Sequence, residues 1–372
     1  MKTLVFSGTG YGGHLTAALA VRQAVLQARP GLQIVYVAAE PPQRIDRVIQ
    51  RWRGGARFIP LCRGQGPAIR VCRMGQVLTS GLFEARRILR ALSPDAVLGF
   101  GGYGSVPAVL AARSLRVPTL VHEQNVELGW ANRLLIYFSD VLVTSHDKTR
   151  SQLEASRTWS KGPELVCMGM PLEERPYCTR DQARQQLGLK PNAFVLLVLG
   201  GSQGAKTLNR IFYDLIGSLS RDLASRLQVI HQTGEEDSLS ATRFYAENQI
   251  DHRVIAFTHE LPLFLKAADL AVARAGAAAV HELRYYATPT LFVPYPHANS
   301  HQQENARIAQ EEAWAEMHLE GPDTAQTLRK SLSQLIQNPD QVRERCQRAK
   351  NISNVGSAKQ IAEKVFSLCD DE

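Results

Sequence analysis

Phe194-Val195-Leu196-Leu197-Val198-Leu199-Gly200-Gly201-Ser202-Gln203-Gly204-Ala205-Lys206-Thr207-Leu208-Asn209-Arg210-Ile211-Phe212 is the stretch whose reading decides the fold. Its apolar opening reads as a buried strand, the glycine run as a tight turn, and Lys206 onward as a helix. That succession aims free backbone N–H groups at a phosphate. Two more glycine loops lie in the first half, at Gly8-Thr9-Gly10-Tyr11-Gly12-Gly13-His14 and Gly101-Gly102-Tyr103-Gly104-Ser105. Taken singly, each loop is as often a structural turn as a phosphate site. Together they point to two ligands, or to two ends of one reaction.

Outward from the loops, strand and helix patterns alternate as βαβ units require. Expected strands in the first half are Thr3–Ser7, Leu32–Ala38, Ala96–Gly99, Thr119–Glu123, Val141–Ser145 and Leu165–Met168. Helical patterns cover Leu15–Gln27, Ser80–Leu92, Val106–Ser114 and Gly129–Tyr137. The second half repeats the scheme with Phe194–Leu199, Leu227–Gln232, Val254–Phe257, Leu270–Ala273 and Thr290–Val293. The expected architecture is α/β: two doubly wound Rossmann-like domains with ligands in the cleft between them, at the carboxyl ends of the strands. Met170-Pro171 with Glu173-Glu174-Arg175-Pro176 reads as the linker, giving domains at 1–170 and 171–350. A final helix within 351–372, with Ile361, Val365 and Leu368 on one stripe, is expected to return to the first domain.

At 372 residues, 44% hydrophobic and 21% charged, the chain reads as a globular two-domain protein. It has neither a run of about 18 apolar residues nor an N-terminal secretory pattern. Its six cysteines are scattered without C-x-x-C spacing, so reduced thiols are expected. No D-x-D metal–diphosphate motif occurs, so no tightly bound metal or other cofactor is expected; stimulation by a divalent cation stays open. Glu40 comes late for a ribose-binding acid and is followed by Pro41-Pro42, which disfavours a nicotinamide-dependent dehydrogenase.

The net charge of +8 is uneven: residues 1–150 hold 19 Lys and Arg against 8 Asp and Glu. Between Asp46 and Glu84 there is no acid, but there are Arg47, Arg51, Arg53, Arg57, Arg63, Arg70 and Arg73, interleaved with Trp52, Ile69, Val77, Leu78, Leu82 and Phe83. Such a mixture suits an anionic bilayer surface. The plainer alternative is a solvated basic face. No nucleic-acid-binding motif accompanies the charge.

Three polar segments follow expected strands. His122-Glu123-Gln124-Asn125 closes an apolar strand, with Gly129 and Asn132 ahead of the next helix. Buried polar side chains are costly unless paired, which favours a ligand-facing role. Arg274-Ala275-Gly276-Ala277 follows another strand, and Glu282 on the next helix could take ribose hydroxyls or simply pair with Arg284. His301-Gln302-Gln303-Glu304-Asn305 could read sugar hydroxyls. An imidazole titrates near neutral pH, so His14 is a candidate base, with Glu123 as rival or partner. The plainer alternative for His14 is a helix-start residue that hydrogen-bonds a loop or phosphate.

In order and spacing these elements resemble the MurG family, the N-acetylglucosaminyltransferases that convert lipid I to lipid II. The resemblance covers residues 8 to 305 and the final helix. It implies a GT-B fold, an inverting glycosyltransferase and UDP-N-acetylglucosamine held by the second domain. By position, Gly201, Ser202, Gln203 and Gly204 would hold the diphosphate, Glu282 the ribose, and backbone near Thr258 the uracil. Gln302 with His301 would contact the sugar, and Arg274 belongs to the same donor set. Gly12, Gly13, Gly101, Gly102 and Tyr103 would face the acceptor diphosphate, with Asn125 and Glu123 lining the cleft. The implied acceptor is a polyprenyl-diphosphate-linked muramoyl peptide at the cytoplasmic face of the inner membrane, where the protein would bind peripherally. The chain departs from the family pattern at Tyr11, usually a small Thr, and at Ala17, usually Pro. The family's Gly-Asn-Pro-x-Arg hinge reads Gly169-Met170-Pro171-Leu172-Glu173 here. Rival readings are another UDP-sugar transferase, a UDP-N-acetylglucosamine 2-epimerase, and a non-catalytic sugar-nucleotide binder.

Overall fold

Thr3-Leu4-Val5-Phe6-Ser7 forms β1, and all five residues are buried, the mark of a parallel strand covered on both faces. The structure, a computed structural model, describes residues 1–9, 12–40, 52, 54–60, 67–156, 162–173, 178–200, 205–258, 260–296, 300–352 and 356–370. It divides into two units, Met1–Glu174 with Gly356–Glu372, and Arg175–Val355.

The first unit carries β1, β2 (Gln33–Glu40), β3 (Ala56–Pro60), β4 (Ala96–Gly99), β5 (Thr119–Glu123), β6 (Val141–Thr144) and β7 (Glu164–Cys167). They form one parallel sheet in the order β3-β2-β1-β4-β5-β6-β7. The second unit carries β8 (Phe194–Leu199), β9 (Leu227–Gln232), β10 (Asp251–Ile255), β11 (Leu270–Ala273), β12 (Thr290–Phe292) and β13 (Ala315–Met317). Its parallel sheet runs β10-β9-β8-β11-β12-β13. Both sheets are doubly wound, as the sequence led us to expect. Strands β3 and β13 were not foreseen, and β10 begins three residues before the expected Val254.

Strand periodicity builds the cores. In β8, Val195, Leu197 and Leu199 join one buried cluster, while Leu196 and Val198 join the other, because successive side chains point to opposite faces. In the first unit, helices Ser80–Leu92 and Val106–Ser114 pack Ala85, Ile88, Leu89, Val109 and Ala112 against one face of the sheet.

The final helix, Ser357–Asp370, buries Ile361, Ala362 and Val365 and packs on helix Gly12–Ala28. Arg29 stacks over Phe366 and pairs with Asp370, and Lys364 pairs with Glu164 at 2.7 Å. No helix among the described residues is long and apolar enough to cross a membrane.

In the acid-free segment the structure separates the apolar residues. Trp52 and Val77 are fully buried, Trp52 beside Phe6 and Tyr36, so neither reaches a surface. Leu78 and Phe83 are exposed, Phe83 by 78%. Helix Pro67–Leu78 runs through the segment. The side chains of Arg70 and Arg73 lie outside the described residues, as do Arg47, Arg51, Arg53 and Arg63; Arg57 is exposed.

Candidate functional site

Strand order reverses at β1/β4 in one sheet and at β8/β11 in the other, and such switch points gather loops at the strands' carboxyl ends. In the first unit Ser7 lies beside Gly99, which sets Gly8-Thr9 next to Phe100-Gly101-Gly102. Helix Gly12–Ala28 begins there with no acid in its first turn, so its free N–H groups and dipole favour an anion. Gly10 and Tyr11 lie outside the described residues.

His14 is half-buried in the first turns of that helix. Its Nδ1 is 3.1 Å from Thr9 Oγ1. A Cβ on Gly101 would stand 3.2 Å from His14 Nε2, and Gly101 has φ +86°, so side-chain-free backbone lets the ring lie there. Desolvation pushes the His14 pKa down to about 4, which keeps the imidazole neutral at physiological pH.

Glu123, buried at the end of β5, spends both carboxylate oxygens on the chain. Oε1 accepts from Gln124 N and Asn125 N, each at 2.8 Å, and from Asn125 Nδ2 at 3.1 Å. Oε2 accepts from Gly129 N at 2.9 Å and Asn132 Nδ2 at 2.8 Å. A carboxylate so occupied folds the loop that follows β5; it is poorly placed to take a substrate proton. In this arrangement Glu123 clamps the loop that follows β5. Asn125 is part of that clamp. His122 is fully buried, and its Nε2 meets Gly169 O at 3.2 Å, tying β5 to the segment before Met170; burial pushes its pKa down to about 4. Tyr103 is half-buried and packs against the hydrophobic core. Gly12, Gly13, Gly101 and Gly102 stand at the helix start and the β4 turn.

In the second unit Leu199 lies beside Ala273, so Gly200 leaves the sheet next to Arg274-Ala275-Gly276. Gly201, Ser202, Gln203 and Gly204 lie outside the described residues. Helix Lys206–Gly217 resumes with no acid in its first turn. Arg274 is buried, and its Nη1 donates to Val293 O at 3.0 Å and pairs with Glu320. These contacts brace the loop after β12. Gln302 Oε1 accepts from Tyr295 N at 2.9 Å, which leaves its amide N–H donors for a hydroxyl. His301 opens the same helix, His301–Glu311, with Nδ1 buried and unpartnered among the described residues. Glu282 is half-buried on helix Ala277–Tyr285, and Thr258 Oγ1 accepts from Glu260 N.

Sequence reasoning missed one network. Asn209, near the start of helix Lys206–Gly217, donates from Nδ2 to Thr233 O and Asp237 and accepts at Oδ1 from His231 Nε2 at 3.0 Å. His231 Nδ1 then accepts from Tyr245 O–H at 2.7 Å. Burial holds His231 down at about 3, consistent with this neutral form. The network fixes the Thr233-Gly234 turn at the end of β9, next to β8. The signal was available: His231-Gln232-Thr233-Gly234 is polar sequence at a strand's end, like His122–Asn125.

Comparison with known proteins agrees with the doubled architecture. The glycosyltransferase family 28 N-terminal domain matches residues 4–142, and the family 28 C-terminal domain matches residues 195–365. The chain is 31% identical, over 98% of each sequence, to a protein of Geobacter metallireducens named UDP-N-acetylglucosamine--N-acetylmuramyl-(pentapeptide) pyrophosphoryl-undecaprenol N-acetylglucosamine transferase. A protein of the same name from Paramagnetospirillum magneticum is 35% identical, over 78% of this chain and 77% of its own. Among solved structures, MurG of Acinetobacter baumannii superposes with a TM-score of 0.75 at 26% identity, covering 99% of this chain and 100% of its own. A UDP-N-acetylglucosamine 2-epimerase from Neisseria meningitidis shares the fold alone, with a TM-score of 0.68 at 14% identity, covering 99% of this chain and 100% of its own.

Proposed function

The chain belongs to the MurG family of GT-B glycosyltransferases, and from that premise we propose that it transfers N-acetylglucosamine from UDP-N-acetylglucosamine to the C4 hydroxyl of the muramoyl sugar of lipid I, with inversion, giving lipid II. The observation that carries this reading is near-full-length relatedness to transferases of that name. The two switch-point sites support it, since donor and acceptor each carry a diphosphate.

Residues 171–350 form the donor side. The turn Gly201–Gly204 and the helix after it stabilise the departing UDP with backbone N–H groups. Glu282 binds the ribose, backbone near Thr258 the uracil, and Gln302 with His301 the sugar hydroxyls. Residues 1–170, with the returning helix in 351–372, form the acceptor side. Gly12, Gly13, Gly101 and Gly102 face the acceptor diphosphate, and His14 takes the proton of the attacking hydroxyl. A second reading, the same chemistry on a different acceptor, is favoured by the hinge Gly169-Met170-Pro171-Leu172-Glu173, where the family cation is an acid. Incubation with UDP-N-acetylglucosamine and a short-chain lipid I analogue is expected to yield the lipid II analogue. UDP-sugar hydrolysis without transfer, or donor epimerisation without acceptor, would sink the lipid I assignment.

The acceptor is a membrane lipid, so the protein docks peripherally on the inner membrane's cytoplasmic face. Exposed Phe83 and Leu78 beside Arg86, Arg87 and Arg90 support this. Each basic residue near an anionic surface contributes about 1 kcal/mol. Phe83→Ser combined with Arg87→Glu and Arg90→Glu is therefore expected to weaken binding to phosphatidylglycerol vesicles at least tenfold, measured by sedimentation. Unchanged binding would remove this face from the membrane contact.

A further inference from the structure

We propose that Thr9 is the positioning residue of His14: its hydroxyl accepts the hydrogen on Nδ1 and so presents Nε2 unprotonated to the acceptor hydroxyl. The inference rests on the reading of His14 as base.

A neutral imidazole carries one N–H, and the hydrogen bond made by one nitrogen decides which face is basic. Thr9 Oγ1 is 3.1 Å from Nδ1 and is the hydrogen-bond partner of His14 among the described residues. Thr9 is buried at 3% exposure, and its carbonyl accepts from Tyr36 O–H at 3.2 Å, which fixes the backbone beneath the side chain. The threonine cannot swing away. A Cβ on Gly102 would fall 2.4 Å from Thr9 Cγ2, so the methyl is wedged under a glycine with φ +73°. The other edge of the ring lies along Gly101, with Nε2 and Cδ2 at 3.2 and 3.3 Å from where a Cβ would stand. Thr9 and Gly101 thus bracket the imidazole, one at each nitrogen.

Among the described residues, the other groups near the ring are His122, close enough that a charge on His14 disfavours one on His122, and the Asn132 amide, bound to Glu123. Neither supplies a partner for Nδ1. In the reaction the acceptor O–H bond breaks and its proton goes to Nε2. The oxygen's electron pair forms the bond to the anomeric carbon, and UDP leaves with the pair of the broken C–O bond. The imidazolium keeps its Nδ1–H on Thr9 throughout. The hydroxyl residue of this loop stands at position 9, whereas Tyr11 holds the place where the family usually carries Thr. The device therefore belongs to this chain's own loop.

The test uses the full chain. Nitrogen-15 NMR of histidine-labelled wild type, with His14 assigned by its loss in His14→Ala, is expected to show the proton on Nδ1. Thr9→Val is expected to lower kcat about 10- to 100-fold while the KM for UDP-N-acetylglucosamine moves less than twofold. Thr9→Ser, which keeps the hydroxyl, should return kcat to within about threefold of wild type. A proton on Nε2 in the wild type overturns the proposal, as does a Thr9→Val kcat within twofold of wild type. An active His14→Ala would instead bring down the base assignment, so the two failures are distinguishable.

Discussion

His14→Ala is expected to lower kcat by roughly 10²- to 10⁴-fold, the usual contribution of a positioned general base, while donor affinity stays within about twofold. Donor affinity is spared because the sugar-nucleotide contacts assigned above come from the second unit, whereas His14 stands at the start of helix Gly12–Ala28 in the first. The pH profile carries more information than the loss itself. The base must be neutral to work, so activity is present above its pKa and lost as pH falls through it. Desolvation lowers that pKa to about 4, against an ordinary 6.5. The acid limb of kcat/KM, which reports the free enzyme, should therefore lie near pH 4 and not near 6.5. Bound acceptor brings diphosphate charge beside the ring and favours the imidazolium, so the acid limb of kcat should lie higher. Steady-state transfer assays between pH 4 and 8 check this, and a variant with half the wild-type turnover would end the assignment.

Glu123→Gln separates two roles that composition could not. As a base, Glu123 could be replaced by the isosteric amide with turnover lost and the fold untouched. As the clamp described here, it receives five N–H groups from Gln124, Asn125, Gly129 and Asn132. Turning one oxygen into NH₂ sets donor against donor in a buried loop, at about 1–3 kcal/mol for each donor left without an acceptor. We expect Glu123→Gln and Glu123→Ala both to lower the melting temperature, Ala by roughly 10 °C at about 2–4 °C per kcal/mol. Turnover should fall about 10²-fold with it, because loop displacement misplaces the acceptor. Calorimetry beside the transfer assay decides the matter. A Gln variant with wild-type melting and no turnover would restore Glu123 as a base.

The central strands were legible because parallel strands covered on both faces are unbroken apolar runs; β1, β4, β8 and β11 all read that way. The edges were not. Ala56-Arg57-Phe58-Ile59-Pro60 carries an exposed arginine and ends in proline, and β13 is three residues long with Glu316 paired to Arg345. At β10 the expectation was drawn toward Phe257, an apolar residue that the structure exposes by 46%. Edge strands face water on one side, and the apolar signal thins accordingly. At the site, residue types at strand ends were visible, but their partners were not. Nothing in the spacing shows that Glu123 is saturated by its own loop, that Arg274 turns inward to Glu320, or that Thr9 reaches across a glycine turn to His14.

The last helix has a consequence for synthesis. Helix Ser357–Asp370 covers helix Gly12–Ala28, so the first unit is interrupted by residues 175–355 and closes with the end of the chain. At about 5–20 residues per second, translation of that interval takes roughly 10–35 s. During that time the first unit exists without its final helix, leaving the surface of helix Gly12–Ala28 bare. Lesions near residue 365 should be felt at the opposite end of the sequence, along helix Gly12–Ala28.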